Sequence, residues 1–175
     1  MTGLELRRYR PADHERVLKL HDEPMRALGE FIDGVPDSDV SDIKRSYLDS
    51  GGEFLVGEYD GRIVAMGGFR PATGYLTAVI DCDPDTTAEI KRMRVDIGYQ
   101  GRGFGQQVYD ALERRAREMG FSELALDTSS KQPVAQQLYE KNGFEAVETI
   151  PLVYNDDQFE VSFYRKSLVG ETHNP

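Results

Sequence analysis

The chain predicts an α/β fold in which a mixed, mostly antiparallel central sheet of six to seven strands carries helices on both faces. Three observations predict it. Segments with apolar residues at alternate positions interleave with segments of helical spacing, in the order β-α-α-β-β-β-α-β-α-β-β. An Asp60-Gly61 pair joins two apolar runs and calls for a tight turn, which fixes an antiparallel hairpin. A turn with glycines at alternate positions (Gly101, Gly103 and Gly105) links an alternating strand to a strongly periodic helix. The length, 175 residues, suits one domain with a sizeable core. No repeat or low-complexity linker interrupts it, so residues 1–169 are expected to form a single domain and 170–175 a frayed tail.

The first strand is read over Leu4–Tyr9, which alternates. Pro11–His21 has helical spacing, with Val17, Leu18 and Leu20 as its apolar members, and Asp22–Asp39 is expected to be a loop. A second helix is predicted over Val40–Leu48, where Val40, Ile43 and Tyr47 share a face, and Gly51-Gly52 ends it. The hairpin strands are Phe54–Tyr59 and Arg62–Phe69. Asp81–Asp85 reads as a loop, and Tyr75–Ile80 as a strand extension. Ala88–Val95 alternates cleanly: Glu89, Lys91, Met93 and Val95 share one parity, and Ile90, Arg92 and Arg94 the other. The strong helix runs from Gly103 to Met119, burying Phe104, Val108, Ala111, Leu112 and Ala116, and Gly120 stops it. A strand over Phe121–Thr128, a short helix over Pro133–Asn142 stopped by Gly143, and strands over Phe144–Ile150 and Phe159–Lys166 complete the order.

Composition narrows the function. Apolar residues make up 39% and charged residues 30%, the balance of a globular protein. No apolar run reaches the length of a membrane span, and the first eight residues lack the apolar stretch of a signal peptide, so a soluble cytoplasmic protein without a membrane partner is expected. The single cysteine, Cys82, forbids an internal disulfide and fits a reducing compartment. A net charge of −10 argues against nucleic acid as a partner. It reads first as a solvated acidic surface, with steering of a cationic amine as the alternative. Asp81 and Asp83 flank Cys82 and blunt it as a nucleophile. His14, His21 and His173 show no metal-ligand spacing, so no metal is expected, and the first two read as helix-surface residues.

The chemistry is concentrated in the glycine turn. Helix N-terminal N–H groups have no internal partner and carry the positive end of the dipole; glycines let the backbone approach a ligand closely. Together they suit a pyrophosphate, with Gln100 and Arg102 as further donors. A dinucleotide fingerprint fails because Gln106 stands where its third glycine belongs, and no Walker Gly-Lys-Ser/Thr exists. What the turn does match is Gln/Arg-x-x-Gly-x-Gly/Ala, as Gln100-Gly101-Arg102-Gly103-Phe104-Gly105. This resembles the pyrophosphate signature of the GNAT superfamily of acetyl-CoA-dependent N-acetyltransferases. Ala88–Val95 resembles that family's fourth strand, and Leu138-Tyr139-Glu140-Lys141-Asn142-Gly143-Phe144 its Leu-Tyr-Glu-Lys-x-Gly-Phe segment. The likeness covers nearly the full chain and is densest from Ala88 to Phe144.

The resemblance implies a GNAT-like sheet splayed between strands 4 and 5 near Val95, with acetyl-CoA as cofactor. The pantetheine arm would lie along the backbone of Met93, Arg94 and Val95, and the pyrophosphate on the N–H groups of Gln100, Gly101, Arg102, Gly103 and Gly105. It implies direct transfer to a primary amine of a small molecule or peptide, with a fourth-strand N–H, that of Val95, polarising the thioester carbonyl. Glu89, six residues before Val95, would act as the base, directly or through water; the plainer reading is a strand glutamate paired with Lys91 or Arg92. Tyr139 would protonate the CoA thiolate; the plainer reading is core packing beside Leu138. Gln132 stands where many relatives carry a cofactor-contacting asparagine. Relatives are often homodimers. The acceptor site is expected over the 22–39 loop, the hairpin end and the final two strands; Glu23, Glu30 and Asp33 could recognise a cation there, as could any acidic surface. A reading from a different class is a non-catalytic acyl-CoA-binding sensor on the same scaffold.

Overall fold

A computed structural model of the protein describes residues 3–31 and 37–170. Its elements are β1 (Glu5–Arg8), α1 (His14–Ala27), α2 (Ser38–Ser41), β2 (Glu53–Tyr59), β3 (Arg62–Pro71), α3 (Tyr75–Val79), β4 (Thr87–Val95), α4 (Phe104–Glu118), β5 (Glu123–Ser129), α5 (Pro133–Lys141), β6 (Glu145–Tyr154) and β7 (Asp157–Ser167). The strands form a seven-stranded sheet in the order β1-β2-β3-β4-β5-β7-β6. Every neighbouring pair is antiparallel except β4–β5.

Two hairpins, β2–β3 and β6–β7, build much of the sheet, the second at its edge. Asp60 and Gly61 have φ of 50° and 75°, the backbone of the primed turn that the sequence calls for. Asn155 and Asp156 repeat this geometry, at 48° and 65°, between β6 and β7. Two polar residues without glycine gave no such signal, so these strands run longer than expected.

Helices cover both faces. On one face α4 buries Val108, Leu112 and Ala116 against Val64, Phe69, Ala88, Ile90, Leu124 and Leu126. On the other, α1 and α2 and the turn after them bury Val17, Leu20, Val40, Ile43 and Tyr47 against Phe54, Val56, Ile63 and Met66. α1 continues to Ala27, past the predicted end at His21, with Pro24 inside it. The loop reading of residues 22–27 was wrong because the buried ring of Pro24 packs on the helix's inner side and outweighs its missing N–H. The predicted second helix is split into α2 and a π-type turn over Lys44–Leu48. Tyr75–Ile80 is also corrected: it holds α3, whose Leu76 is buried with Ala125 and Phe163. At five residues, periodicity cannot separate a helical turn from a strand.

The functional consequence lies between β4 and β5. Their register covers only Thr87–Glu89 against Glu123–Ala125. Beyond that point both strands run on unpaired with each other. The sheet is therefore splayed, and the opening begins at Glu89, earlier in the chain than Val95.

Candidate active site

A β-bulge arranges the side chains of the open strand. The β3–β4 register shifts between Met66 and Gly68, and Arg92 sits at φ 61°. An extra residue reverses the side-chain alternation. Ala88 and Ile90 before the bulge, and Met93 and Val95 after it, therefore all face α4. Glu89, Arg92 and Arg94 share the opposite face. This corrects the simple parity read from the sequence. Gly67 makes room for the bulge, since a Cβ there would stand 2.4 Å from Met93 Sδ.

The bulge is held from α2. Arg92 donates to both oxygens of Asp39, at 2.9 and 2.6 Å, and Tyr47 donates to Oδ2 at 2.5 Å. Burial alone would raise Asp39, yet the Arg92 guanidinium and the Tyr47 hydroxyl hold it far below the usual carboxylate range.

Glu89 stands where strand pairing ends and is 4% exposed. Burial raises its pKa, with Asp127 on β5 adding to the rise and Lys91 and Arg70 opposing it. Lys91 Nζ lies 3.5 Å from Oε2, while Oε1 is buried without a partner. The pairing with Lys91 is therefore present, and the predicted pairing with Arg92 is not, because Asp39 occupies Arg92.

Tyr139 is buried on α5, edge-on to Phe144 at 5.5 Å. The core-packing reading holds, and no described residue hydrogen-bonds the hydroxyl. Burial pushes the phenol well above its ordinary pKa; Arg94 on β4 opposes this and Asp127 on β5 reinforces it. Arg94 and Asp127 lie on the two lips of the opening, so Tyr139 responds to groups on both.

The turn before α4 carries a run of backbone N–H groups without protein acceptors among the described residues. Tyr99 N–H returns to Asp96 O, and Gly98 N–H to Asp96 Oδ1. The next backbone N–H with a protein acceptor is that of Gln107, which bonds Gly103 O at 3.1 Å. Among the described residues the N–H groups of 100–106 have none. Gly101 and Gly103 adopt φ of 76° and 81°, and nothing lies within 4 Å of where their Cβ atoms would be. The guanidinium of Arg102 lies 4.9 Å over the Tyr99 ring. Gln100 differs from expectation: its side chain donates to Val95 O at 3.0 Å, closing the turn onto the strand. Its backbone N–H stays in the unpaired run.

Some expectations change. His21 is mostly buried, not a surface residue, and its Nδ1 has no partner. Gln132 Nε2 faces Met25 Sδ at 3.9 Å, and Thr128 donates to its oxygen at 3.4 Å. Glu23 is exposed and Glu30 half-buried, while Asp33 lies outside the described residues. Burial, more than Asp81, raises the Cys82 thiol. The predicted tail from 171 onward also lies outside the described residues. The placement of Asp127, His21 and the Arg94 side chain about the opening is not legible in the sequence; the one signal for Asp127 is a charge closing the apolar run Leu124-Ala125-Leu126. A cavity of about 730 Å³ lies between Ser38–Ser50 and the end of β3, touching the site only through Arg70, the β3 neighbour of Glu89.

A sheet opened at its one parallel pair, with a run of free amides where the next helix starts, defines an acyltransferase-type scaffold. The chain belongs to the acetyltransferase (GNAT) family, whose sequence profile matches residues 15–144. That family's acetyl donor is acetyl-CoA. The chain is 32% identical over 134 residues to the Xenopus tropicalis protein named probable N-acetyltransferase camello, a stretch covering 74% of this chain and 57% of that one. It is 29% identical over 114 residues to the uncharacterized N-acetyltransferase YjgM of Escherichia coli, covering 65% of this chain and 64% of that one. The matches thus span less than two thirds of either relative. The structure of yncA from Salmonella typhimurium with its cofactor acetyl-CoA superposes with a TM-score of 0.77 at 19% identity, covering 99% and 98% of the two chains, which shows the fold.

Proposed function

We propose that this protein moves an acetyl group from acetyl-CoA to a primary amine by direct attack in a ternary complex. One observation carries the reading: the unpaired N–H groups of residues 100–106 at the start of α4, beside the opening between β4 and β5. Acetyl-CoA supplies an activated thioester when bound. The free amides of Gln100, Gly101, Arg102, Gly103 and Gly105 suit its pyrophosphate, and Arg102 adds a positive charge. The exposed edge of Met93, Arg94 and Val95 suits the amide groups of its arm, and a strand N–H such as that of Val95 suits the carbonyl oxygen in the tetrahedral state.

Glu89 acts as the base. An alkylammonium of pKa about 10 is almost wholly protonated at neutral pH and cannot attack. A carboxylate whose proton affinity is raised by burial takes that proton, directly or through water. The amine nitrogen then bonds to the acyl carbon, the carbon–sulfur bond breaks, and Tyr139 gives its proton to the thiolate. Burial keeps the phenol neutral before the step, and Arg94 reduces the cost of the phenolate after it.

The test is calorimetric titration with acetyl-CoA, CoA, NAD and ATP, followed by thiol release in the presence of amines. Binding of the CoA species alone, with amine-dependent thiol release, is the expected outcome. CoA binding without turnover on any amine would favour the sensor reading. NAD or ATP binding without acetyl-CoA binding would remove the basis of the assignment.

A further inference from the structure

Arg92 and Arg94 leave β4 on the same face, and their surroundings differ. Arg92 is neutralised by the two-oxygen contact with Asp39. Arg94 is half-buried, and among the described residues it has only carbonyl partners: Nε donates to His21 O at 3.2 Å and Nη1 to Met93 O at 2.9 Å. No described carboxylate forms an ion pair with it. Glu30 acts on it only as a charge at longer range and forms no ion pair with it.

A guanidinium carries five N–H groups, so these two contacts leave three, one on Nη1 and two on Nη2. One N–H on Nη1 and one on Nη2 can serve as a fork for the two oxygens of a carboxylate. The two carbonyl contacts fix the plane of the fork before any ligand arrives. A covered cation without a counterion is costly, and a ligand anion relieves that cost. Burial, with Arg92 second, pulls the pKa of Arg94 down to about 10, the direction expected of a cation that lacks its anion. One further polar atom near it, His21 Nδ1, has no protein partner among the described residues.

We infer that the Arg94 side chain binds a carboxylate of the acceptor, so that the acetylated amine belongs to an α-amino acid or a close analogue. This rests on the acetyltransferase reading of the same opening. Arg94 lies on the same face of β4 as Glu89 and bears electrostatically on Tyr139, so a carboxylate on Arg94 and the reacting amine are expected on one small acceptor. A free amino acid meets that condition. Polyamines and aminoglycosides carry no carboxylate, and the side-chain amine of a lysine within a protein lies far from one. On this reading a positive charge at Arg94, rather than the acidic residues Glu23 and Glu30, recognises the acceptor.

The test compares amino acids with their carboxamides in a thiol-release assay, backed by calorimetry on protein saturated with CoA. For the wild type, kcat/KM should fall by roughly 10²-fold or more from acid to amide, because a site built for a charged group is left unpaired by the analogue. Arg94→Lys and Arg94→Met should raise KM for the acids and collapse the acid-to-amide ratio toward one; any loss of kcat through Tyr139 falls on acids and amides alike and leaves that ratio as the readout. The wild-type ratio stands even if neither variant folds. Equal use of acids and amides, or preference for a polyamine, overturns the inference. If no amine is turned over, Arg94-dependent binding of amino acids to the CoA-saturated protein upholds it while the transferase reading fails. Absence of both turnover and carboxylate binding removes it.

Discussion

At the scale of single residues, Glu89 and Tyr139 show opposite compromises between stability and chemistry. Glu89 is a buried carboxylate with an unpartnered oxygen, and its pKa is raised. For such a group folding favours the protonated form, so its contribution declines as pH rises from the unfolded value through the higher folded one. Above both, the penalty is complete. Glu89→Gln should therefore raise Tm at pH 7.5 by about 2–4 °C while lowering kcat by roughly 10²-fold. A scan and a thiol-release assay on one preparation check both halves; a stabilised variant with unchanged turnover would return Glu89 to a purely structural residue. The wild-type acid limb of kcat/KM should correspondingly lie above the ordinary carboxylate range. Tyr139 has its ring in the core and its hydroxyl unbonded, so Tyr139→Phe removes one oxygen and little packing. It should lower kcat by about 10²-fold with acetyl-CoA affinity preserved. Normal turnover would end its assignment as the acid.

At the scale of elements, the active geometry depends on α2 holding the bulge of β4. Asp39 neutralises Arg92 and receives the Tyr47 hydroxyl, so one carboxylate ties a helix, a π-type turn and a strand together. Removing one partner of a buried pair leaves the other charged and desolvated. Asp39→Ala should cost about 3–5 kcal/mol, read by denaturant unfolding, and Asp39→Asn less. Much of this site was legible in the sequence, because glycines at alternate positions and a Leu-Tyr-Glu-Lys-x-Gly-Phe run are local signals. The bulge was not. A non-glycine residue at positive φ leaves no mark on an alternating pattern, and reading straight through Arg92 put Met93 on the side of Glu89. Neither was the pairing of Arg92 with Asp39, since 53 residues separate them and only the folded sheet brings them together. The unpaired Arg94 was hidden for the same reason: an arginine's lack of a partner is a property of the whole surroundings.

At the scale of the whole molecule, the chain carries 31 acidic and 21 basic residues, and its ion pairs fasten separate parts of the fold. Arg7 binds Asp13 at the start of the helical layer, Arg16 of α1 binds Asp96 after β4, and Arg8 and Arg115 converge on Glu53 of β2. Asp13 is lowered chiefly by its bond from Arg7. Asp39, Glu53 and Asp96 are lowered because their bonds from arginine, with Tyr47 or backbone N–H groups, outweigh burial. A depressed folded pKa gives stability that is complete above the unfolded value of about 4 and is lost as pH falls through the folded values. Glu89 and Glu30, raised by burial, work in the other direction and add a little stability as they protonate first. Acidification also reduces the self-repulsion of a net charge of −10 before it reverses the sign. Calorimetric scans from pH 8 to pH 2.5 should therefore show Tm level or rising slightly down to about pH 5, then falling steeply below about pH 4. A Tm that declined steadily from neutrality would mean that groups titrating near pH 6 set stability. His21, whose pKa is pushed down by burial and then by Arg94 and Arg92, would be the first to examine, since it must take up a proton in a place already crowded with positive charge.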